Sequence, residues 1–480
     1  MSSQLEERAH GDRDALPPPW DIDPLATPAL RRALPGIDAG FDAAEMRARL
    51  QSALFGPGVD APVVESCEPG KAMYLGDEGC RIRYDLTVRE PSSGRTRRRL
   101  VLGRLLATAD QAAAHDQSLQ PLAASAGGRD EVAGLVHPTA LLADLAMVVH
   151  AFPIDGDLPA LVPATDPAVM GPVLAEALGE DGASDGWRVE TGHYGRRHRC
   201  VLRYERAAAP GSPPTVVYGK LCWDRSGAQL ADGFADLQAA MAGIGVRLPS
   251  LLGYRPELGL SLLAELPGTP LLDGLRRRRT LGPAADVAGA RLAGEVAAAG
   301  RVAAALHRFP ARWGRARPFA AEVAGLQDEL TAMAAISPQL AARLEAHLAT
   351  ISAAVDLHPG STVQAHGDFT FSQLLDDGGR IGLLDFDSLC HAEPGLDLGQ
   401  FVAYLRLTAA KAGTDGVALA RGLEPRFRSA YAEAGGGPMD RVEAYTALSL
   451  LRITVHAWQK LKPARARLAL STLEESELCH

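Results

Sequence analysis

Residues 364–398 read QAHGDFTFSQLLDDGGRIGLLDFDSLCHAEPGLDL, and this stretch decides the fold. Leu374 and Leu375 run into Asp376-Asp377-Gly378-Gly379, and Ile381, Leu383 and Leu384 lie beyond. Two short apolar runs joined by a turn whose glycines supply positive φ predict a β-hairpin. Asp385 then falls where the second strand ends. Asp368 and Gln373 stand on the loop that leads into the first strand, five residues apart.

A carboxylate on a loop, an oxygen donor five residues later and a second carboxylate across a hairpin is the layout of kinase-type phosphoryl transfer, with its H-R-D-x-x-x-x-N loop and D-F-G. Mg²⁺ is a hard ion that takes carboxylate and amide oxygens while bridging nucleotide phosphates. Asp385 and Gln373 are suitable ligands, and Asp368, free of the metal, can accept the acceptor's proton.

At these residues the chain resembles the aminoglycoside phosphotransferase and choline kinase family. That family's pattern is H-G-D-x-x-x-x-N, then an apolar-D-[FW]-[ED] strand and a later D-L. His366, Gly367, Asp368, Asp385, Phe386, Asp387, Asp397 and Leu398 match it in order. Gln373 departs from the usual Asn, a departure shared with the maltokinase branch, which also carries an extra N-terminal domain. The resemblance implies a protein-kinase-like α+β fold of two lobes, ATP and Mg²⁺ as cofactors, and a small-molecule hydroxyl acceptor. It gives Asp397, with His366, the task of bracing the catalytic loop. An H-G-D triplet alone decides nothing, since His10-Gly11-Asp12 is another one with no hairpin after it.

The 480 residues exceed one ordinary domain of about 100–200 residues. A net charge of -9 excludes nucleic-acid binding by bulk electrostatics. The six cysteines form no C-x-x-C pair, as in a reduced, cytoplasmic protein. No N-terminal apolar segment and no run of about 18 apolar residues appears, so no membrane partner is expected.

Residues 1–40, with Pro17-Pro18-Pro19, read as a flexible arm, and 42–54 as a helix. An internal repeat follows. Cys80-Arg-Ile-Arg-Tyr-Asp recurs as Cys200-Val-Leu-Arg-Tyr-Glu, Gly103-Arg104-Leu105 as Gly219-Lys220-Leu221, and the segment 146–161 resembles 261–275. A repeat of about 90 to 100 residues implies two copies of one α+β unit. The second copy looks like a kinase small lobe. Lys220 lies mid-strand, where a buried ammonium needs a charge. In a kinase that charge is the nucleotide's α/β-phosphates, with a helix acid as the other partner. Asp236, in GFADLQAAM, is the candidate acid. Gly192 and Gly195 could form the turn that covers the phosphates, and backbone groups around Ala264 to Leu266 resemble the adenine-binding hinge. The first copy carries Arg104 at the Lys position and reads as a degenerate cap, joined by a linker over 180–186.

Arg276 to Arg279 read as a solvated turn. Helices are expected over 284–308, whose last residues include His307 as a structural group, and over 319–355. Asp397 starts another, and 401–480 is helical. The expected domains are therefore the arm 1–40, a cap 41–165, a nucleotide-binding small lobe 187–270 and a helical large lobe 271–480. The expected activity is transfer of the γ-phosphoryl group of ATP to a small-molecule hydroxyl. The alternatives are a pseudokinase scaffold, which Gln373, Asp236 and Arg104 favour, and a metal hydrolase, for which the H-x-H and H-E-x-x-H spacings are missing. Residues 401–470 hold eleven Lys and Arg against five acids. A basic wall there would repel a polyamine and suits a sugar or sugar-like alcohol, with Tyr445 and Trp458 as stacking faces.

Overall fold

The computed structural model describes residues 22–476 except 59–60, 181–184, 197, 209–210, 224–232, 274–284, 311–312 and 356–359. His10-Gly11-Asp12 and Arg276 to Arg279 lie outside the described residues.

Residues 22–40 are packed, contrary to the expected arm. Helices α1 (Pro28–Ala33), α2 (Ile37–Phe41) and α3 (Ala43–Leu50) bury Ile22, Leu30, Leu34 and Ile37 at 2% exposure or less. The spacing of Leu30, Leu34 and Ile37 is that of a helix face, which the prolines upstream obscured. These helices cover a sheet formed by β1 (Val63–Tyr74), β2 (Cys80–Arg89), β3 (Thr96–Leu105), β4 (Thr139–Leu142) and β5 (Met147–Ala151), in the order β1-β2-β3-β5-β4. Helix α4 (Ala109–Ser125) follows β3, its first turn capped by the Thr108 hydroxyl.

Helices α5 (Leu161–Ala164) and α6 (Pro167–Leu178) lead to a second sheet of β6 (Trp187–Arg196), β7 (Arg199–Arg206), β8 (Thr215–Cys222), β10 (Leu251–Arg255) and β11 (Leu260–Ala264). Its order is β6-β7-β8-β11-β10. Helix α7 (Phe234–Gly243) and the short β9 (Val246–Arg247) lie between β8 and β10.

The two sheets share register as well as order. Cys80 pairs Leu105 as Cys200 pairs Leu221, and Tyr84 pairs Val101 as Tyr204 pairs Val217. Arg104 faces Val148 as Lys220 faces Ser261. Gly103 and Gly219 each sit under a tyrosine ring, where a Cβ would come within 2.9 Å of Tyr84 and 2.6 Å of Tyr204. Those tyrosines donate to the carbonyls of Gly40 and Ala164, so α2 and α5 occupy matching places on their sheets.

Side chains alternate between the faces of a strand, so each sheet has two destinations. Ile82, Tyr84, Val101, Leu105 and Val149 face α1–α3, while Leu102 joins a core with Leu161, Trp187, Tyr194, Leu202 and Tyr204. The face of the first sheet that carries Arg104 thus docks against the second sheet. On the second sheet, Cys200, Leu202, Tyr204, Leu260 and Leu262 make that core, and Lys220 points the other way.

After β12 (Thr269–Pro270), the large lobe has α8 (Ala285–His307), α9 (Phe319–Ala334) and α10 (Pro338–Ala353). The single helix expected over 319–355 is broken at Ser337-Pro338, where proline starts a new first turn. Then come β13 (Val363–Ala365), the hairpin β14 (Leu374–Asp377) and β15 (Arg380–Leu383), and β16 (Cys390–Ala392). Helices α11 (Gly395–Ala410), α12 (Gly413–Glu433), α13 (Val442–Gln459) and α14 (Pro463–Glu474) complete the chain. No helix among the described residues is long and apolar enough to cross a membrane.

Candidate active site

Asp397, in the first turn of α11, is fully buried and anchors the loop. Its Oδ2 accepts the amide N–H of His366 at 2.7 Å, and its Oδ1 that of Gly367 at 2.8 Å. His307 Nε2 lies 3.1 Å from Oδ2, and its Nδ1 meets the Tyr431 hydroxyl at 2.8 Å, which gives His307 a bracing task. Burial would raise the Asp397 carboxyl, but the hydrogen bond and charge interaction with His307, and those with His366, hold it below the ordinary range. Gly367 has φ 76°, and a Cβ there would meet the Ser388 carbonyl at 2.1 Å. Only glycine fits this turn. His366 donates Nε2–H to the Leu384 carbonyl at 2.8 Å and accepts the Asp368 N–H at 3.3 Å, tying the loop to the hairpin's far end.

The loop places Asp368 between two amides. Gln400 Nε2 donates to Oδ1 at 2.9 Å, and Gln373 Nε2 lies 3.5 Å from Oδ2 and 3.4 Å from Asp385 Oδ2. Asp385 follows β15 in the left-handed region at φ 64°, a conformation costing about 1–2 kcal/mol in a non-glycine residue. It turns the carboxylate back towards the loop, as strained residues at functional sites do.

Lys220 reaches across from β8 to Asp385 and to Asp387, the latter at 2.6 Å. Burial alone would depress the Lys220 ammonium, yet the carboxylates of Asp387 and Asp385 raise it above its ordinary value. Burial alone would likewise raise Asp385, and Lys220 holds it below the ordinary carboxylate range. Arg199, on β7, lies 3.6 Å from Asp387 and adds a second cation.

The donor set fits a magnesium ion. Two carboxylates already converge on one cation, and a half-turn of the Gln373 amide would present its oxygen beside Asp385. Among the described residues no group of three His, Cys, Asp or Glu side chains gathers.

Other expectations need correction. Asp236 is exposed and does not meet Lys220, because Phe234, Leu237 and Met241 are the side of α7 that is buried. Asp387 is the carboxylate at Lys220 beside Asp385. Gly192 and Gly195 lie within β6 beside its register shifts, and the hairpin turns after Arg196. Ala264 ends β11 with its N–H on the Ser250 carbonyl, and Leu266 packs over Gly382 of the hairpin. Tyr445 and Trp458 are 1% exposed and cannot stack on a sugar; Trp458 meets Tyr74 of the first domain edge-on. The basic wall is partly neutralised: among its eleven cations, Arg406 and Arg428 pair with Glu424 and Glu443, Arg441 with Glu393 and Arg452 with Glu322. Gln400 and Arg199 escaped the sequence reading. Gln400 follows Asp397 by three residues, the spacing that puts both on one helix face.

Residues 175–445, more than half of the chain, match the model of a family described as "Phosphotransferase enzyme family". The chain belongs to that family. It is a phosphotransferase, and its first 174 residues lie outside the match. No curated protein matches the chain. Among solved structures, a choline/ethanolamine kinase family protein from Mesorhizobium loti aligns at 17% identity and TM-score 0.43, covering 65% of this chain and 97% of its own. Choline kinase from Cryptosporidium parvum aligns at 12% and 0.44, covering 64% and 93%. An aminoglycoside phosphotransferase from Streptomyces rimosus aligns at 19% and 0.36, covering 62% and 98%.

Proposed function

We propose that the chain moves the γ-phosphoryl group of ATP to a hydroxyl of a sugar or sugar-like alcohol. One observation carries this: Asp368, Gln373 and Asp385 meet within 3.5 Å, beneath the Lys220 ammonium delivered by another lobe. Asp385 and Gln373 would hold Mg²⁺, which neutralises charge on the phosphate oxygens. Lys220, with Arg199 beside it, is placed to exchange its carboxylate partners for phosphate oxygens. Asp368 takes the acceptor's proton as the hydroxyl oxygen bonds to the γ-phosphorus and the bridging P–O bond breaks, leaving ADP.

The acceptor reading rests on which charges are free. Glu424, Glu443 and Glu393 are held by arginines, so they offer no surplus negative charge to a polycation. Gln373 and Gln400, which reach the Asp368 carboxylate, are neutral amides that suit hydroxyls.

We also propose that the two sheets are copies of one unit and that only the second binds nucleotide. Arg104, the counterpart of Lys220, is buried and paired with Asp157 and Glu78. Its face of the sheet is covered by the small lobe through Arg81, Asp155 and Tyr194. The test is Mg²⁺-dependent ADP release from ATP against panels of sugars and of aminoglycosides. Turnover with a sugar is expected, and phosphorylation of an aminoglycoside alone would overturn the acceptor reading.

A further inference from the structure

Gln400 carries a feature that packing does not explain. Its Nε2 donates to Asp368 Oδ1 at 2.9 Å, while its Oε1 is buried with no hydrogen-bond partner among the described residues. Turning the amide over would set a carbonyl oxygen against a carboxylate oxygen, so the charge of Asp368 fixes which way it points. A buried carbonyl left unpaired is a defect that folds normally avoid. A residue kept to fill space could be Leu or Met and leave no orphan.

Resting on the phosphotransfer reading, we infer that Gln400 is a positioning residue for the base. From α11 it clamps Oδ1 of Asp368 and fixes the plane of the carboxylate. Oδ2, 3.5 Å from Gln373 Nε2, is then the oxygen that takes the acceptor's proton. The acceptor's O–H bond then breaks towards Oδ2 as the new O–P bond forms. Asp397 and Gln400 are one turn apart on the same helix, so α11 sets both the loop and the rotation of its carboxylate.

The test is Gln400→Met, which keeps length and removes the N–H. The expected result is a fall in kcat of about tenfold, as for loss of a hydrogen bond to a charged group. KM for nucleotide and acceptor should stay within about twofold, since ground-state binding is untouched. The unfolding midpoint should hold or rise, because an unpaired carbonyl is removed. In an Asp368→Asn background the same substitution should lower the residual rate no further, because the two side chains act as one unit. Equal kcat in wild type and Gln400→Met overturns the inference, as does an undiminished loss on top of Asp368→Asn. Should Gln400→Met not fold, the isosteric Gln400→Glu decides: loss of turnover supports the inference, and wild-type turnover overturns it. A wild type that phosphorylates no acceptor overturns the phosphotransfer reading and this inference with it, whereas a turning-over wild type matched by the variants overturns this inference alone.

Discussion

At the scale of single residues, the site separates a base from a metal ligand by their neighbours. Asp368 is held by neutral amides, and Asp385 by a cation. Asp368→Asn should therefore lower turnover by about 10²–10⁴ and leave nucleotide affinity nearly intact. Asp385→Asn should abolish Mg²⁺-dependent nucleotide binding. Calorimetric titration beside steady-state rates checks both, and full turnover in either variant would contradict the assignment. Asp397 gives a pH prediction. Its folded-state pKa lies below the unfolded value of about 3.9, so its stabilisation is complete above that pH and disappears as pH falls through the folded value. Asp397→Asn should lower stability by about 1–3 kcal/mol at neutral pH and flatten the loss of stability below about pH 4. Urea titrations across pH measure it.

At the scale of elements, what the sequence disclosed depended on whether the signal was local. The hairpin and its three polar residues were legible because turn glycines and fixed spacing act within twenty residues of chain. Lys220 was legible through the repeat with Arg104. Partners that meet across elements were not. Asp236 was drawn in by nearness along the chain, while α7 turns Phe234 and Leu237 inward and leaves the acid in solvent. Tyr445 and Trp458 looked available because nothing local shows that α13 is buried on most sides. The division of labour between the sheets is testable by matched substitution. Lys220→Ala should weaken nucleotide binding or turnover strongly. Arg104→Ala should leave both unchanged and lower stability, since it strips a buried cation from Asp157. Equal effects on nucleotide binding would refute the division.

At the scale of the whole molecule, the first domain stands outside the family match but inside the hydrophobic core. One continuous cluster joins Ile82 and Met147 of the first sheet to Leu340, Trp458 and Leu470 of the large lobe, and another joins Leu102 to Tyr204 of the small lobe. The domain therefore touches both lobes, and Tyr74 against Trp458, with ring centroids 5.9 Å apart, is part of the seam. Trp458→Ala, remote from the catalytic loop in sequence, should lower stability by about 3–5 kcal/mol with KM values unchanged. Removing residues 1–165 should do more. It would bare Trp458, take the Ala164 carbonyl from the Tyr204 hydroxyl and Asp155 from Tyr194, and uncover the apolar face of the small-lobe sheet. The remaining chain still contains every catalytic group, yet it should bind a hydrophobic dye and lose cooperative unfolding, because the surface that closes its core has gone. Thermal denaturation of the fragment followed by near-ultraviolet circular dichroism decides the matter: a sharp transition at the full-length midpoint would mean that the first domain is an appendage and not a wall of the core.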